Sequence, residues 1–343
     1  MFEPGLMATG IGSLPHRDAR EACHLMLRSF PGAPVWPQLP RKSFLENFYA
    51  QYSEGLAGIR VDTEAERIWF DRSVLDEELE GFYQAVIDRD LSHFAMTESH
   101  AAGLAEFLGP LAGELAGATI VKGQVTGPVS FGLTVTDQDG RASLHDETLE
   151  QVIVKGLGLK AAWQVDALRK AAPGKEIMMF LDEPYLVSVG SALVSVPRER
   201  VMRDMEECLQ LIGADVTAMH CCGNTDWSIV FLSGVDIVSF DASSEMEGFI
   251  AYHAEIGAHL AGGGSIAWGI VPNDERVLTA NAGSLAREIE SALDTLEKRG
   301  VNRELLMRRL MITPCCGLGN ATVDIAEKAL AMTGEVSRLL EGR

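Results

Sequence analysis

Basic residues are scarce in this chain. Lysine and arginine together number 29 against 49 aspartates and glutamates, a formal net charge of -20 at pH 7. So acidic a surface repels nucleic acid and anionic membranes, which argues against both as general partners but leaves room for a protein with a basic patch. Long apolar runs are missing as well. The most apolar stretch, IGAHLAGGGSIAWGIV (256–271), holds a histidine, a serine and several glycines. It falls short of the roughly 20 apolar residues that a membrane span needs. The N-terminus, MFEPGLMATG, has an acidic residue and no basic cluster, unlike a secretory signal. The expected location is therefore the cytoplasm, where thiols stay reduced. No short repeat or low-complexity tract occurs, and no G-x-G-x-x-G follows the first candidate strand, so a dinucleotide fold has little support. Hydrophobic residues at 47% and charged residues at 23% of 343 are ordinary for a globular protein with a core that needs no disulfides.

Cysteine is not abundant, but its placement is unusual. Four of the six cysteines sit in two doublets, MHCCGN (219–224) and TPCCGLGN (313–320). They could be buried small residues, halves of disulfides or metal ligands. A reducing compartment makes disulfides the weakest reading. The spacing is also not the C-x2-C of structural zinc motifs.

Along the chain, short apolar runs rich in β-formers alternate with longer segments of helical period. Candidate strands are LMATGIGS (6–13), SHFAMT (92–97), GATIVKGQV (117–125), IMMFLDE (177–183), DVTAMHC (215–221), DIVSFD (236–241), SIAWGIV (265–271) and RLMITP (309–314). Between them, Val201, Met205, Cys208, Leu209 and Ile212 form one helical stripe with Pro197 near its start. Leu285, Ile289, Ala292, Leu293 and Leu296 form another, with Ser284 as its expected cap. Eight strands mostly followed by helices predict a (β/α)8 TIM barrel as one domain over 1–343. A doubly wound sheet is the alternative. The stretch IRVDTEAERIWF (59–70) breaks the pattern and predicts a hairpin or extended excursion within residues 30–75, as a lid or an interface.

Chemistry on such a barrel sits at the C-terminal strand ends. There the sequence places Gly12-Ser13, the run GQVTGPVS, Asp182-Glu183-Pro184, His220-Cys221-Cys222, Asp241 and Cys315-Cys316. Residues two apart in extended chain share a side, so His220 and Cys222 face together and Cys221 faces away. His220, Cys222, Asp241 and one cysteine of the second doublet make a four-ligand set of the type zinc takes. The competing reading is that these cysteines are simply core residues.

The stretches GIGSLP, VKGQVTGPVSFG, FLDEP, MHCCGN, VDIVSFDAS and TPCCGLG occur in an order that resembles the C-terminal catalytic barrel of cobalamin-independent methionine synthase. That family lies in a superfamily shared with uroporphyrinogen decarboxylase. The resemblance covers residues 8 to about 320 and implies one zinc ion on His220, Cys222, Asp241 and Cys316, with Cys221 and Cys315 as bystanders. Asp241 stands where the family has glutamate, which implies a weaker ligand. The resemblance further implies homocysteine as the thiol acceptor. Its amino-acid end would be held by Ile11, Gly12 and Ser13 and its amino group by Asp182, with Glu98 as a second carboxylate.

Two departures concern the methyl donor. The full-length family enzymes carry a further barrel that helps bind folate. Folate-using members also carry a histidine where this chain reads WGIVPND (268–274). A departing folate amine needs a proton, whereas a departing corrinoid cobalt does not. The expected donor is therefore a methyl-corrinoid, free or on a carrier protein, although His16, His253 or His259 could stand in as the acid. The rival readings are a zinc methyltransferase for another thiol such as coenzyme M, a uroporphyrinogen decarboxylase-like enzyme, and a non-catalytic corrinoid- or zinc-binding module.

Overall fold

The computed structural model describes residues 2–109, 111–191, 194 and 196–342. Nine strands are β1 (Ile59–Asp62), β2 (Arg67–Phe70), β3 (Ile120–Thr126), β4 (Thr136–Asp137), β5 (Glu176–Asp182), β6 (Val216–Cys221), β7 (Ile237–Asp241), β8 (Ser265–Val271) and β9 (Leu310–Pro314). Six of these, β3 and β5 to β9, form a curled parallel sheet in the order β3-β5-β6-β7-β8-β9. Spatial order thus follows chain order without the reversal that a doubly wound sheet requires. These strands are nearly continuous apolar runs because helices cover one face and packed side chains fill the other.

Their alternate residues separate into two clusters. Val121, Ile177, Met179, Met219, Val238, Ile266 and Ile312 join the large core shared with the helices. Ile120, Met178, Phe180, Val216, Ala218, Ile237, Ala267 and Met311 form a smaller cluster on the concave side. Two residues further along each strand, the concave side turns polar with Lys122, Asp182, His220, Ser239 and Thr313, all buried. The apolar layer is therefore a floor at the N-terminal ends, and the polar layer lies at the C-terminal edge above it.

From β9 back to β3 the structure uses isolated bridges: Ala8 to Ile312, Ser13 to Gln38, and Val35 to Lys122, all parallel. Two of the eight expected strands are thus revised. Residues 6–13 are extended but irregular, with Leu6 at φ 73° and Gly12 at φ 149° interrupting any ladder. The stretch 92–97 is not a strand. Leu91–Phe94 is a 3-10 turn capped by Asp90, and buried Phe94 and Met96 supply the alternation that reads as β in sequence. The extended segment beside β3 instead comes from residues 32–38, where Lys122 N–H donates to Pro34 O at 2.9 Å. Pro34 and Pro37 have no N–H to donate, so this segment cannot form a regular strand.

The excursion does contain a hairpin. β1 pairs antiparallel with β2, and β2 pairs parallel with β4. The stripe 285–296 is buried on helix Ala282–Lys298, but the cap is Asn281, whose side chain accepts from Ser284 N–H. Among the described residues, no helix is long and apolar enough to cross a membrane.

Strand ends are tied together by Glu183, which is fully buried. Its backbone N–H donates to His220 O at 2.8 Å. Its carboxylate accepts from Val129 N–H at 3.0 Å, Ser130 N–H at 2.8 Å and Ser130 Oγ at 2.6 Å. A Cβ at Gly127 would collide with that carboxylate. Gly127→Ala is therefore expected to destabilise the fold by about 1–3 kcal/mol. Chemical denaturation measures this, and an unchanged midpoint would show that the Glu183 clasp is dispensable.

Candidate metal and substrate site

The polar layer holds a cavity of about 310 Å³, lined among others by Ile11, Ser13, Gln38, Glu46, Asp182, His220, Cys222 and Cys316. At one end, a ring nitrogen of His220 and the sulfurs of Cys222 and Cys316 lie within 4.8 Å of one another. Strand geometry produces this meeting. His220 follows Ala218 by two positions on the concave side of β6, and Cys222 follows by two more. Cys221 points the other way into the core and is fully buried. Its thiol gives a hydrogen bond to Gly223 O at 3.5 Å. Cys316 enters from the loop after β9, which is itself held by Leu318 N–H donating to Ser13 O at 3.0 Å.

His220 is oriented. It is in register with Ser239 on the neighbouring strand, and its Nδ1 lies 2.9 Å from Ser239 Oγ. Its Nε2 is buried without a hydrogen-bond partner. A buried ring nitrogen left free while the other is pinned is the arrangement expected of a metal-ligating imidazole. With two thiols beside it, the donor set is of the kind zinc takes, and zinc fits these residues.

The two thiols also differ from their neighbours electrostatically. A hydrogen bond from Cys316, with help from His220, pushes Cys222 down to about 4. Cys316, the donor of the pair, moves up correspondingly. Burial pushes Cys221 and Cys315 up to about 12, which leaves them inert thiols.

Asp241 is not in this group. It ends β7, and its Oδ1 accepts from Ser244 N–H at 3.0 Å, capping helix Ala242–Ile250. This carboxylate is committed to the backbone at the start of that helix. Glu98 is also misplaced as a substrate ligand. It is exposed in a turn and does not line the cavity. Of the expected turn, Ile11 and Ser13 line the cavity, while Gly12 is buried behind it.

Sequence reasoning missed one residue of this wall and one buried near it. Glu46, 1% exposed, lines the cavity and has an unpartnered Oε1. It comes from the irregular 38–53 segment, where no periodicity points to it. Lys122 is fully buried below the cavity. It donates to Ile11 O at 2.6 Å and sits 4.2 Å from the centre of the Phe180 ring. Asp182, which lines the cavity with an unpartnered Oδ1, is raised by burial, with Lys122 opposing the shift. Both orphan carboxyl oxygens belong to residues lining the cavity, and each suits a ligand carrying an ammonium group.

No family model matches the chain, and no curated protein matches it in sequence. Solved structures do resemble it. A methyltransferase from Methanosarcina mazei matches with a TM-score of 0.59 and 13% identity, over 96% of this chain and 93% of that one. A B12-independent methionine synthase from Shewanella sp. W3-18-1, solved in complex with selenomethionine, matches with a TM-score of 0.58 and 15% identity, over 98% of each chain. At these identities the likeness is one of fold.

Substitutions separate working thiols from bystanders. Purified His220→Ala, Cys222→Ser and Cys316→Ser are expected to lose zinc, while Cys221→Ser and Asp241→Ala keep it in metal analysis. Ser239→Ala should weaken zinc binding by about tenfold. Zinc loss in Cys221→Ser with His220 and Cys222 intact would contradict the strand register given above.

Proposed function

We propose that this protein is a zinc-dependent methyltransferase that methylates the thiol of homocysteine to form methionine, with a methyl-corrinoid, free or carried by a protein, as donor. The observation that carries this reading is the convergence of the free His220 Nε2 and two thiols at one end of a cavity with two unpartnered carboxyl oxygens along its wall. The proposal includes a closed barrel of eight positions, with residues 6–13 and 32–38 as its two irregular members. The fold of the two solved structures, one called a methyltransferase and the other a methionine synthase bound to selenomethionine, is consistent with it.

His220, Cys222 and Cys316 would hold the metal. A bound zinc ion supplies Lewis acidity that keeps a substrate thiol ionised at neutral pH, where a free thiol of pKa about 8.5 is mostly protonated. Asp182 and Glu46 would receive the amino group, and Ser13 with its turn would abut the amino-acid end. The acceptor sulfur's lone pair forms the S–CH3 bond, and the carbon–cobalt pair departs with the cobalt, so no proton donor is needed. His220 is the one histidine among the described residues lining the cavity. His253 is half-buried beside Ala251 O and does not line the cavity, and His259 is engaged with Ser265 O at the opposite end of β8. His16, buried three residues beyond Ser13, does not line the cavity. Chain length does not discriminate between donors, since the B12-independent methionine synthase chain is covered almost completely.

The rivals fare less well on the same wall. Thiols with a sulfonate would face two carboxyl groups. A substrate with many carboxylates needs cations, and no lysine or arginine lines the cavity among the described residues.

Zinc-loaded protein given homocysteine is expected to form methionine with methylcobalamin and none with methyl-tetrahydrofolate. Methionine from folate alone would overturn the donor, and none from either would overturn a free methyl-corrinoid as donor to this acceptor.

A further inference from the structure

Glu46 and Asp182 line the same cavity but have different surroundings. Asp182 has Lys122 near it, an amine that burial itself lowers to about 7 and whose charged form opposes the rise of Asp182. Glu46 has no such partner. Its Oε2 accepts from Leu39 N–H at 3.2 Å, and the backbone of Ala102 is a second donor. Among the described residues, the cation acting on it is Lys42, which is exposed. The other charged or titratable groups that face the cavity are Asp182, His220, Cys222 and Cys316. Arg20 is occupied with Glu106 on the adjoining helix Ala102–Leu108. A carboxyl that is 1% exposed, with one oxygen unpartnered, cannot carry a charge cheaply. Burial accordingly pushes Glu46 up to about 7.

We propose that Glu46 is a neutral acid in the ligand-free protein, and that an acceptor bearing an ammonium group binds by displacing its proton to solvent. This rests on the reading of the cavity as an amino-acid site and adds a proton linkage to it. The step balances without a further reactant. The O–H bond of Glu46 breaks, the proton passes to buffer, and the carboxylate left behind pairs with the intact ammonium of the ligand. A thiol without an amine would offer no charge to exchange for the proton and would leave Glu46 protonated. The residue thereby selects for amino-acid thiols by charge replacement as well as by shape.

The linkage can be read without catalysis and without a thiol. Methionine has the ammonium group but no S–H proton to release. Its binding to zinc-loaded protein would be followed by titration calorimetry in buffers of different ionisation enthalpy. With Glu46 titrating near 7, the expected release is about one proton per methionine at about pH 6, falling toward zero at about pH 8. Glu46→Gln should abolish the release at about pH 6 and weaken methionine binding by roughly tenfold. Tight binding without proton release in the unaltered protein, or undiminished release in Glu46→Gln, would overturn the inference and leave the amino-acid site standing. Failure of methionine and homocysteine to bind at all would instead overturn the functional reading, and the linkage with it.

Discussion

Side chains two apart on a strand share a side, and the site depends on that constraint. On β6 the series Val216, Ala218, His220 runs from apolar floor to polar edge, and Cys222 extends it beyond the strand. On β7 the series Ile237, Ser239 places a hydroxyl in register with His220. One hydrogen bond between neighbours, His220 Nδ1 to Ser239 Oγ at 2.9 Å, then fixes the ring and leaves Nε2 bare toward the cavity. Shifting β6 by one residue would put Met219 and Cys221 inside and His220 among the helices.

The same constraint explains what could be read in advance. His220, Cys222 and the outward turn of Cys221 follow from periodicity alone, because β6 is regular and its ends are sharply marked. Asp182 follows likewise from β5. Elements without a period were harder to read. Residues 32–38 hold a sheet position through isolated bridges because two prolines cannot donate, so nothing in GAPVWPQ announces a strand. Phe94 and Met96 gave a strand-like alternation that tertiary packing satisfied with a 3-10 turn. Glu46 lies in the adjoining 38–53 segment, which has no period that points to it, and Glu98, the carboxylate expected instead, is exposed in a turn. Asp241 was placed correctly at the end of β7, but a helix begins at the next residue, and its N-terminal N–H groups claim the carboxylate.

Charge is distributed unevenly around the cavity, which gives each group a separate task. The thiol of Cys316 donates to that of Cys222, so Cys222 lies low and Cys316 high. Lys122 sits under the wall, where it ties down the Ile11 carbonyl and balances Asp182. Glu183 stays out of the cavity. It is raised to about 7 by burial, opposed by the Ser130 hydroxyl and the Val129 and Ser130 amides, and it joins the ends of β5 and β6 to the start of helix Pro128–Thr134. Two adjacent acids of one Asp-Glu-Pro run thus divide into a cavity-lining group and a structural one.

The central claim is that His220, Cys222 and Cys316 form one metal site open to a substrate thiol. X-ray absorption at the zinc edge, recorded with and without homocysteine, addresses it directly. The account predicts one nitrogen and two sulfurs from the protein, with a third sulfur when homocysteine is added. A shell that holds no sulfur, or whose sulfur count does not change with homocysteine, would contradict it.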